Sequence, residues 1–330
     1  MTEFSAKALN HIRKKFKGKK IAVIGDLMLD GYYWGDVKRI SPEAPVPIVE
    51  IEDEFFRFGG AANVALNLLT LGAEPFPIGV IGNDLSGKIF LELMDKQGIR
   101  KEGIIRDKSR PTTVKTRVIA GKHHIVRIDR ESKKYIDNSI KKKIIHALSN
   151  RIDELDAVII QDYNKGVLSE ELISDIISIC NSKKKIITVD PKFDNFFEYK
   201  DVTVFKPNRK ETEDALKIKL DSPEKISFAG DELIKNLNSK YLLLTLGEEG
   251  IALFEKDKPI RKVATKARKV ADVSGAGDTV ISTLTIALTA GANIAEAAYL
   301  ANFAGGLVCE EIGIVPIDVD KLFTRLLAEL

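Results

Sequence analysis

The sequence has few of the residues that build disulfide frameworks and metal clusters. Its 330 residues contain two cysteines, Cys180 and Cys309, and four histidines, which show no metal-ligand spacing. Two cysteines so far apart exclude a cysteine-based zinc cluster and a disulfide-stapled scaffold. We therefore expect no structural zinc, and we expect the protein in the reducing cytoplasm.

An excess of charge of one sign is missing as well. The 51 lysines and arginines nearly balance the 48 acidic residues, so the formal net charge is +3. A basic run lies within residues 13–20, but near-neutrality elsewhere favours a solvated helix face over a nucleic-acid-binding surface. The hydrophobic share of 44% and the charged share of 30% are typical of a globular protein and exclude a collagen-like or disordered chain.

Long hydrophobic runs are also absent. The longest stretch without a charged residue covers residues 279–295 and contains serine, several threonines and Gly291. That is short for a membrane span, so we interpret it as a buried helix. No apolar stretch behind the N-terminal basic run is long enough for a signal peptide. We expect neither a membrane nor a nucleic acid among the partners.

The sequence does contain a regular alternation of short apolar runs and amphipathic stretches. The predicted strands are 21–25, 77–81, 157–161, 186–190, 202–205 and 241–246. The predicted helices are 61–71, 86–97, 170–181, 227–238 and 279–290. Continuous apolar runs are typical of strands buried on both faces, and their alternation with helices predicts an α/β fold with a mostly parallel sheet. We expect a single domain over residues 1–330.

Two segments have a different pattern. Residues 46–51 and 112–129 alternate apolar with polar side chains, which predicts strands with one face in water. The second segment can fold back around Gly121. We expect a small antiparallel β lid with strands from about 32–57 and 112–129. Exposed strand edges favour pairing with a second copy, so we also expect a homodimer.

The strongest motif is D-V-S-G-A-G-D at residues 272–278, followed by a helical pattern. Gly275 and Gly277 allow a tight turn whose amides, with Ala276, can converge on an anion at the helix N-terminus. Asp278 then lies in the first helical turn, where it could accept a proton during phosphoryl transfer. The alternative is an ordinary helix start, because aspartate and glycine are common there.

Two further motifs come before predicted helices or after predicted strands. F-G-G-A-A-N ends in Asn63, and its glycines Gly59 and Gly60 allow close approach of a ligand to the backbone. G-D-L-M-L-D follows the first strand, at the edge where parallel sheets bind ligands, so Asp26 and Asp30 are candidates for binding hydroxyl groups. A plain glycine turn and ordinary turn chemistry are the alternatives.

One motif is misleading. G-N-D-L-S-G-K at residues 82–88 matches part of a phosphate-binding P-loop, but Ile89 stands where that loop needs serine or threonine for Mg²⁺. We interpret the segment as a loop and helix cap. The glycine fingerprint of dinucleotide-binding proteins is absent after the first strand, which disfavours a dehydrogenase.

Together these motifs resemble the ribokinase (PfkB) family of carbohydrate kinases. The run G-G-A-A-N-V-A from Gly59, with Gly72 and Gly82 at their spacings, fits the family's first signature. D-V-S-G-A-G-D-T fits the second, except that Thr283 replaces a smaller residue. The resemblance implies a ribokinase-like three-layer α/β/α fold and an ATP-dependent sugar kinase that uses Mg²⁺.

Four segments narrow the resemblance within that family. R-I-S-P-E-A-P-V-P (39–47), D-Y-N-K-G-V-L (162–168), V-D-P-K (189–192) and the 272–278 motif are similar to members that phosphorylate D-glycero-β-D-manno-heptose 7-phosphate at O1. That step leads to ADP-heptose for the lipopolysaccharide core. Because no H-x-G-H motif of a fused nucleotidyltransferase is present, we expect a stand-alone kinase.

The resemblance also implies roles for individual residues. Asp278 would be the catalytic base, and Gly275, Ala276 and Gly277 would form the anion hole. The implied substrate-binding residues are Asp30, Gly59, Gly60, Asn63, Arg117, Asp162 and Lys165. The implied nucleotide-binding residues are Asp190, Lys192, Asn208, Glu211, Thr245, Gly247, Gly250 and Asn302. Glu211 would organise Mg²⁺ through water, and Asp272 would contribute to a monovalent-cation site, such as one for K⁺.

A phosphorylated sugar needs a cationic pocket of its own. The candidates are Arg39, Arg117, Arg127 and Lys165, of which we favour Lys165. Other substrates stay open at this point: an unphosphorylated sugar such as ribose, a nucleoside or a fructose phosphate. A catalytically silent sugar-binding regulator is the alternative of a different class, and the retained Asp278 argues against it.

Overall fold

In the computed structural model, strands and helices alternate along the chain. The structure describes residues 5–121, 123–264, 271–311 and 313–329. The strands are β1 (Lys20–Gly25), β2 (Leu27–Ile40), β3 (Pro47–Gly60), β4 (Glu74–Gly82), β5 (Ile104–Asp107), β6 (Thr113–Ala120), β7 (His123–Arg130), β8 (Ala157–Gln161), β9 (Ile186–Asp190), β10 (Val204–Phe205), β11 (Tyr241–Thr245), β12 (Ile251–Glu255) and β13 (Arg261–Val263). The helices are α1 (Ala6–Lys14), α2 (Ala61–Thr70), α3 (Leu85–Gln97), α4 (Asn138–Ser149), α5 (Glu170–Ser182), α6 (Arg209–Leu216), α7 (Pro223–Leu237), α8 (Ala276–Thr289), α9 (Ile294–Val308) and α10 (Val319–Leu327).

Within the described residues, the larger sheet has nine strands in the order β13-β12-β11-β10-β9-β8-β1-β4-β5. The pairings from β11 across to β5 are parallel, and β12 and β13 are antiparallel at one edge. All six predicted sheet strands are present. In register, Gly25 of β1 lies beside Gln161 of β8, which lies beside Asp190 of β9. The carboxyl ends of three neighbouring strands therefore meet at one edge.

Helices cover both faces of this sheet, as the three-layer expectation requires. Along β1, Ile21 and Val23 belong to one buried cluster with α2, α8 and α9, whereas Ala22 and Ile24 belong to another with α4, α5 and α7. Because β1 is buried on both faces, its sequence is a continuous apolar run. The described helices include none that is long and apolar enough to cross a membrane.

In the described part of the chain, a second sheet of four strands, in the order β3-β2-β6-β7, forms the lid. β6 and β7 pair antiparallel on either side of Gly121, as predicted for the 112–129 segment. One expectation needs correction: β2 and β6 run parallel, so the lid is a mixed sheet. The reason is that the chain leaves β2 and β3 through α2, β4, α3 and β5 before it returns as β6, and a long connection allows the same direction.

The misleading P-loop segment is a loop and cap, as expected. Asp84 is the N-cap of α3 and accepts a hydrogen bond from the backbone N–H of Gly87 at 2.8 Å. The same carboxylate accepts from the backbone N–H of Thr112 at 3.0 Å. The Asp84 side chain therefore holds this loop through hydrogen bonds to two backbone amides.

Candidate active site

The candidate site lies where β1, β8 and β9 end and where α8 begins. The N-cap of α8 is Gly275, whose φ of 80° is in the left-handed region that favours glycine, and no side chain caps the helix. A Cβ on Gly277 would lie 3.6 Å from Oδ2 of Asp190 and 3.8 Å from Nζ of Lys206. The start of α8 therefore faces a buried ion pair at the strand ends.

Asp278 is buried in this cleft and is 3% exposed. Its Oδ2 accepts a hydrogen bond from Nδ2 of Asn63 at 2.8 Å. Its Oδ1 accepts from the hydroxyl of Tyr163 at 2.9 Å and from Nε2 of Gln161 at 3.2 Å. Burial raises the pKa of Asp278 to about 7, with a further rise from Asp190, against the lowering effect of the Asn63 and Tyr163 hydrogen bonds. A carboxyl group with such a pKa can accept a proton near neutral pH.

Two lysines lie next to this carboxylate. Lys206, which is 2% exposed, pairs with Asp190 at 3.0 Å. Lys192 pairs with Glu211, and its ammonium lies 5.4 Å from the ring centroid of Tyr163. Burial alone would lower the pKa of Lys192, but Asp190 and Glu211 raise it above its usual value. Lys192 can therefore face a phosphate in the charged form.

Sequence reasoning missed three of these residues: Gln161, Tyr163 and Lys206. Signals for them were present, because Gln161 ends a predicted strand, Tyr163 lies in the D-Y-N-K-G segment and Lys206 opens K-P-N-R-K-E. Gln161 and Lys206 stand directly after an apolar strand core and Tyr163 two residues after Gln161, at the edge where parallel sheets bind ligands.

Apart from Asp190 and Lys192 at the end of β9 and Asn302 on α9, the predicted nucleotide-binding residues lie in the segments that follow β10 and β11. Asn208 and Glu211 form a capping box at the start of α6, with Oδ1 of Asn208 accepting from the Glu211 N–H at 2.8 Å. Thr245 lies beside Asn208. Gly247 and Gly250 have φ of 64° and 88° and turn the chain between β11 and β12. Asn302 of α9 donates to the carbonyl of residue 264 at 2.8 Å, and its role toward a nucleotide stays a prediction.

The predicted sugar-binding residues lie where the lid meets the sheet. Asp30 on β2 forms an ion pair with Arg117 on β6. A Cβ on Gly59 would lie 2.3 Å from Oδ2 of Asp30, and one on Gly60 would lie 2.5 Å from the carbonyl oxygen of Asp26. The two glycines of F-G-G-A-A-N therefore let β3 pass close to these groups.

Two aspartates predicted to bind hydroxyl groups or substrate have other partners. Asp26 accepts from the backbone N–H of Tyr163 at 2.8 Å, of Lys165 at 3.1 Å and of Val167 at 3.3 Å. Asp162 accepts from the Asn164 N–H and from side chains of Asn195 and Tyr199. Both are 1% exposed. They hold the loop after β8, and the assignments of Asp26 to hydroxyl groups and of Asp162 to the sugar stay predictions.

Of the cations considered for a sugar phosphate, Lys165 is the most buried. Its Nζ bonds to Glu131 at 2.8 Å, at the end of β7. Arg110 contacts the backbone of Lys165: its Nη2 donates to the carbonyls of Ser132 and Lys165, while its buried Nη1 has no acceptor. Arg117 is committed to Asp30, Arg127 is exposed and paired with Asp129, and Arg39 is exposed on the lid.

Asp272 closes a turn. Its Oδ1 accepts from the Ser274 N–H at 2.9 Å and its Oδ2 from the Gly313 N–H at 3.1 Å. Burial would raise the pKa of Asp272, but these backbone amides hold it below the usual value. The adjoining residues 265–270 and 312 lie outside the described part of the chain, so the cation assignment stays a prediction. Across the described ranges, no three His, Cys, Asp or Glu side chains cluster as a metal-binding group.

Comparison with known proteins identifies the family. The family of pfkB carbohydrate kinases matches residues 18–320. The chain belongs to that family. This match confirms the resemblance seen in the two signatures.

Curated proteins that are similar to this chain include HldE proteins. Bifunctional protein HldE of Helicobacter pylori strain J99 is 44% identical over 295 residues, which is 89% of this chain and 64% of that protein. HldE of Desulfatibacillum aliphaticivorans is 40% identical over 311 residues, which is 94% of this chain and 64% of that protein. This pfkB chain therefore spans about 64% of the length of these curated relatives.

Solved structures confirm the fold. Arabidopsis thaliana ribokinase in complex with ribose and ATP superposes with a TM-score of 0.73 at 18% identity, covering 93% of this chain and 99% of that one. Escherichia coli phosphofructokinase-2 with substrates and products gives 0.75 at 17% identity, covering 93% and 99%. At these identities the likeness shows the ribokinase-like architecture and no more.

Proposed function

We propose that this pfkB kinase transfers the γ-phosphate of ATP to O1 of D-glycero-β-D-manno-heptose 7-phosphate, with Asp278 as the base. The observation that carries the proposal is the buried Asp278 carboxylate in the first turn of α8, hydrogen-bonded to Asn63 of the first signature. The similarity to HldE proteins and the four heptose-kinase-like segments support the choice of sugar.

In the proposed reaction, O1 of the sugar attacks the γ-phosphorus, the O1–P bond forms and the bond from phosphorus to the leaving oxygen of ADP breaks. Asp278 takes the O1 proton, and the amides of Gly275, Ala276 and Gly277 stabilise charge on the transferred group. Lys206, buried beside Gly277, adds positive potential at the same place.

The residues present fit a magnesium ion bound with ATP. Mg²⁺ in kinases keeps several waters and uses one or two carboxylates together with substrate phosphates. Asp190 and Glu211 are 6% and 8% exposed and both act electrostatically on Lys192, so two carboxylates lie on the nucleotide side, where Mg²⁺ could replace their lysine partners. When bound, Mg²⁺ neutralises charge on the phosphates.

In the proposed reaction, the lid keeps water away from the γ-phosphate. Water in an open site would compete with the sugar for the γ-phosphate, and closure over the substrate excludes it. Asp30 and Arg117 connect β2 and β6 of the lid, and Lys165 connects the loop after β8 to Glu131 at the end of β7. A sugar bound between these pairs would draw the lid toward the sheet.

A substrate panel tests the proposed function. The purified chain is assayed for ADP release from ATP with D-glycero-β-D-manno-heptose 7-phosphate, ribose, adenosine, fructose 6-phosphate and fructose 1-phosphate. We expect the highest kcat/KM with the heptose phosphate, and a phosphorylated product at O1. A higher kcat/KM with any of the others would contradict the proposed substrate and leave the kinase family intact.

We also propose that the lid pairs two copies into a homodimer. Its exposed apolar side chains include Trp34 at 40%, Ile40 at 59% and Ile128 at 53% exposure, and exposed apolar patches mark interfaces. We expect sedimentation to show a dimer and Trp34→Asp to shift it toward monomer. The exposed Phe228→Asp on α7 is the control that should leave the dimer unchanged. A monomeric unsubstituted chain at micromolar concentration would contradict the dimer.

A further inference from the structure

The hydrogen bonds on Asp278 distinguish its two carboxylate oxygens. An ionised carboxylate offers about four acceptor positions, two on each oxygen. On Oδ1 both are used, by the hydroxyl of Tyr163 and by Nε2 of Gln161. On Oδ2 one is used, by Asn63. The remaining acceptor position is therefore on Oδ2, on the side of the first signature.

Tyr163 is itself held in place from two sides. Its backbone N–H donates to Oδ2 of the buried Asp26 at 2.8 Å. The next residue, Asn164, has a φ of 54° in the left-handed region and turns the chain. After this turn, the backbone N–H groups of Lys165 and Val167 also donate to Asp26. On the nucleotide side, the ammonium of Lys192 lies over the ring. The hydroxyl is thus directed at Asp278 by groups from both halves of the site.

We propose that Tyr163 is a positioning residue for the reaction: its O–H, with the Gln161 amide, fixes the Asp278 carboxylate so that Oδ2 receives the proton of the attacking hydroxyl. The inference rests on the proposed role of Asp278 as base. Gln161 acts from the same side, because its Nε2 bonds both Asp278 and Asp190, at 3.2 Å and 3.1 Å, while its Oε1 is buried without a partner. The amide of Gln161 is therefore oriented so that Nε2 bonds both carboxylates, while Oε1 has no hydrogen bond.

The test is the pH profile of Tyr163→Phe, which keeps the ring and removes only the O–H. The hydroxyl's hydrogen bond lowers the pKa of Asp278, so its loss raises that pKa. The acid limb of kcat against pH should move up by about one pH unit, and kcat at pH 6.5 should fall about tenfold, since a hydrogen bond to a charged group is worth roughly that much. The KM for the sugar should stay unchanged, because Tyr163 does not contact it in this scheme.

Tyr199→Phe is the matched control. Tyr199 is also a buried tyrosine whose hydroxyl donates to a buried carboxylate, that of Asp162 at 2.6 Å. Burial raises the pKa of both tyrosine hydroxyls well above the usual value, so both remain donors across the assay. Tyr199→Phe should lower thermal stability but leave the acid limb where it is. A merely structural role for Tyr163 would give the same result for both variants.

The outcomes separate this inference from the proposed function. If Asp278→Asn is inactive and the acid limb of Tyr163→Phe coincides with that of the unsubstituted enzyme, the positioning role is wrong and the base stands. A rise in sugar KM without a shift of the limb would also overturn it, by placing Tyr163 in contact with the sugar. If Asp278→Asn keeps its turnover, the base assignment fails and the inference fails with it.

Discussion

Asp278→Asn should lower kcat by about 10²- to 10⁴-fold while ATP and sugar still bind, because general-base assistance is worth about that much. The substitution keeps the shape of the side chain. The amide oxygen can still accept from Tyr163 and Gln161, and rotation of the Asn63 amide can present its oxygen to the new NH₂ group. What is lost is the ability to take the O1 proton. The measurement is steady-state ADP release with saturating substrates.

The control for this variant is Asp107→Asn. Asp107 is another buried aspartate at the carboxyl end of a parallel strand, 6% exposed, and it accepts from the N–H and the hydroxyl of Ser109 at 2.8 Å and 2.7 Å. It lies on the edge strand β5, away from α8. Asp107→Asn should keep near-normal kcat. Near-normal turnover in Asp278→Asn, with an unfolding curve like that of the unsubstituted protein, would show that residue 278 is not the base.

The two signatures predicted residues that the fold brings together at the centre of the candidate site, because they combine backbone requirements with chemistry. Glycine at 275 is needed for the left-handed N-cap of α8, and glycine at 59 and 60 for the close approach of β3 to β2. Such positions are visible in a sequence, since few other residues can occupy them. Asp278 and Asn63, 215 positions apart, are brought within 2.8 Å by the elements that these glycines start.

The partners of buried carboxylates were much harder to predict. Asp26, Asp162 and Asp190 all stand at the ends of apolar runs, so their sequence contexts are alike. Their roles differ because the segment after the neighbouring strand of the sheet supplies different donors: three backbone amides for Asp26, a buried tyrosine for Asp162 and Lys206 for Asp190. Those donors come from distant parts of the chain, and their arrangement depends on the strand order. The parallel pairing of β2 with β6 was missed for the same reason.

Lys165→Ala should raise the KM for the phosphorylated sugar by about 10- to 100-fold and leave the KM for ATP unchanged. A charge-assisted hydrogen bond is worth about 1.5–3 kcal/mol, and about 1.4 kcal/mol corresponds to a factor of ten. Lys165 is 9% exposed and lies at the junction of the lid and the sheet, with Arg110 beneath it. In the proposed complex its ammonium exchanges Glu131 for the sugar phosphate. Initial rates over a grid of sugar and ATP concentrations separate the two KM values.

Two further variants make this result specific. Lys141→Ala removes a comparable ion pair, Lys141 with Glu171 at 2.7 Å, from a helix remote from the site, and should change neither KM. Glu131→Gln removes the carboxylate that competes with the phosphate for Lys165, so it should lower the KM for the sugar. Equal increases in both KM values for Lys165→Ala, or a sugar KM that does not move, would place the phosphate of the sugar elsewhere in the cleft.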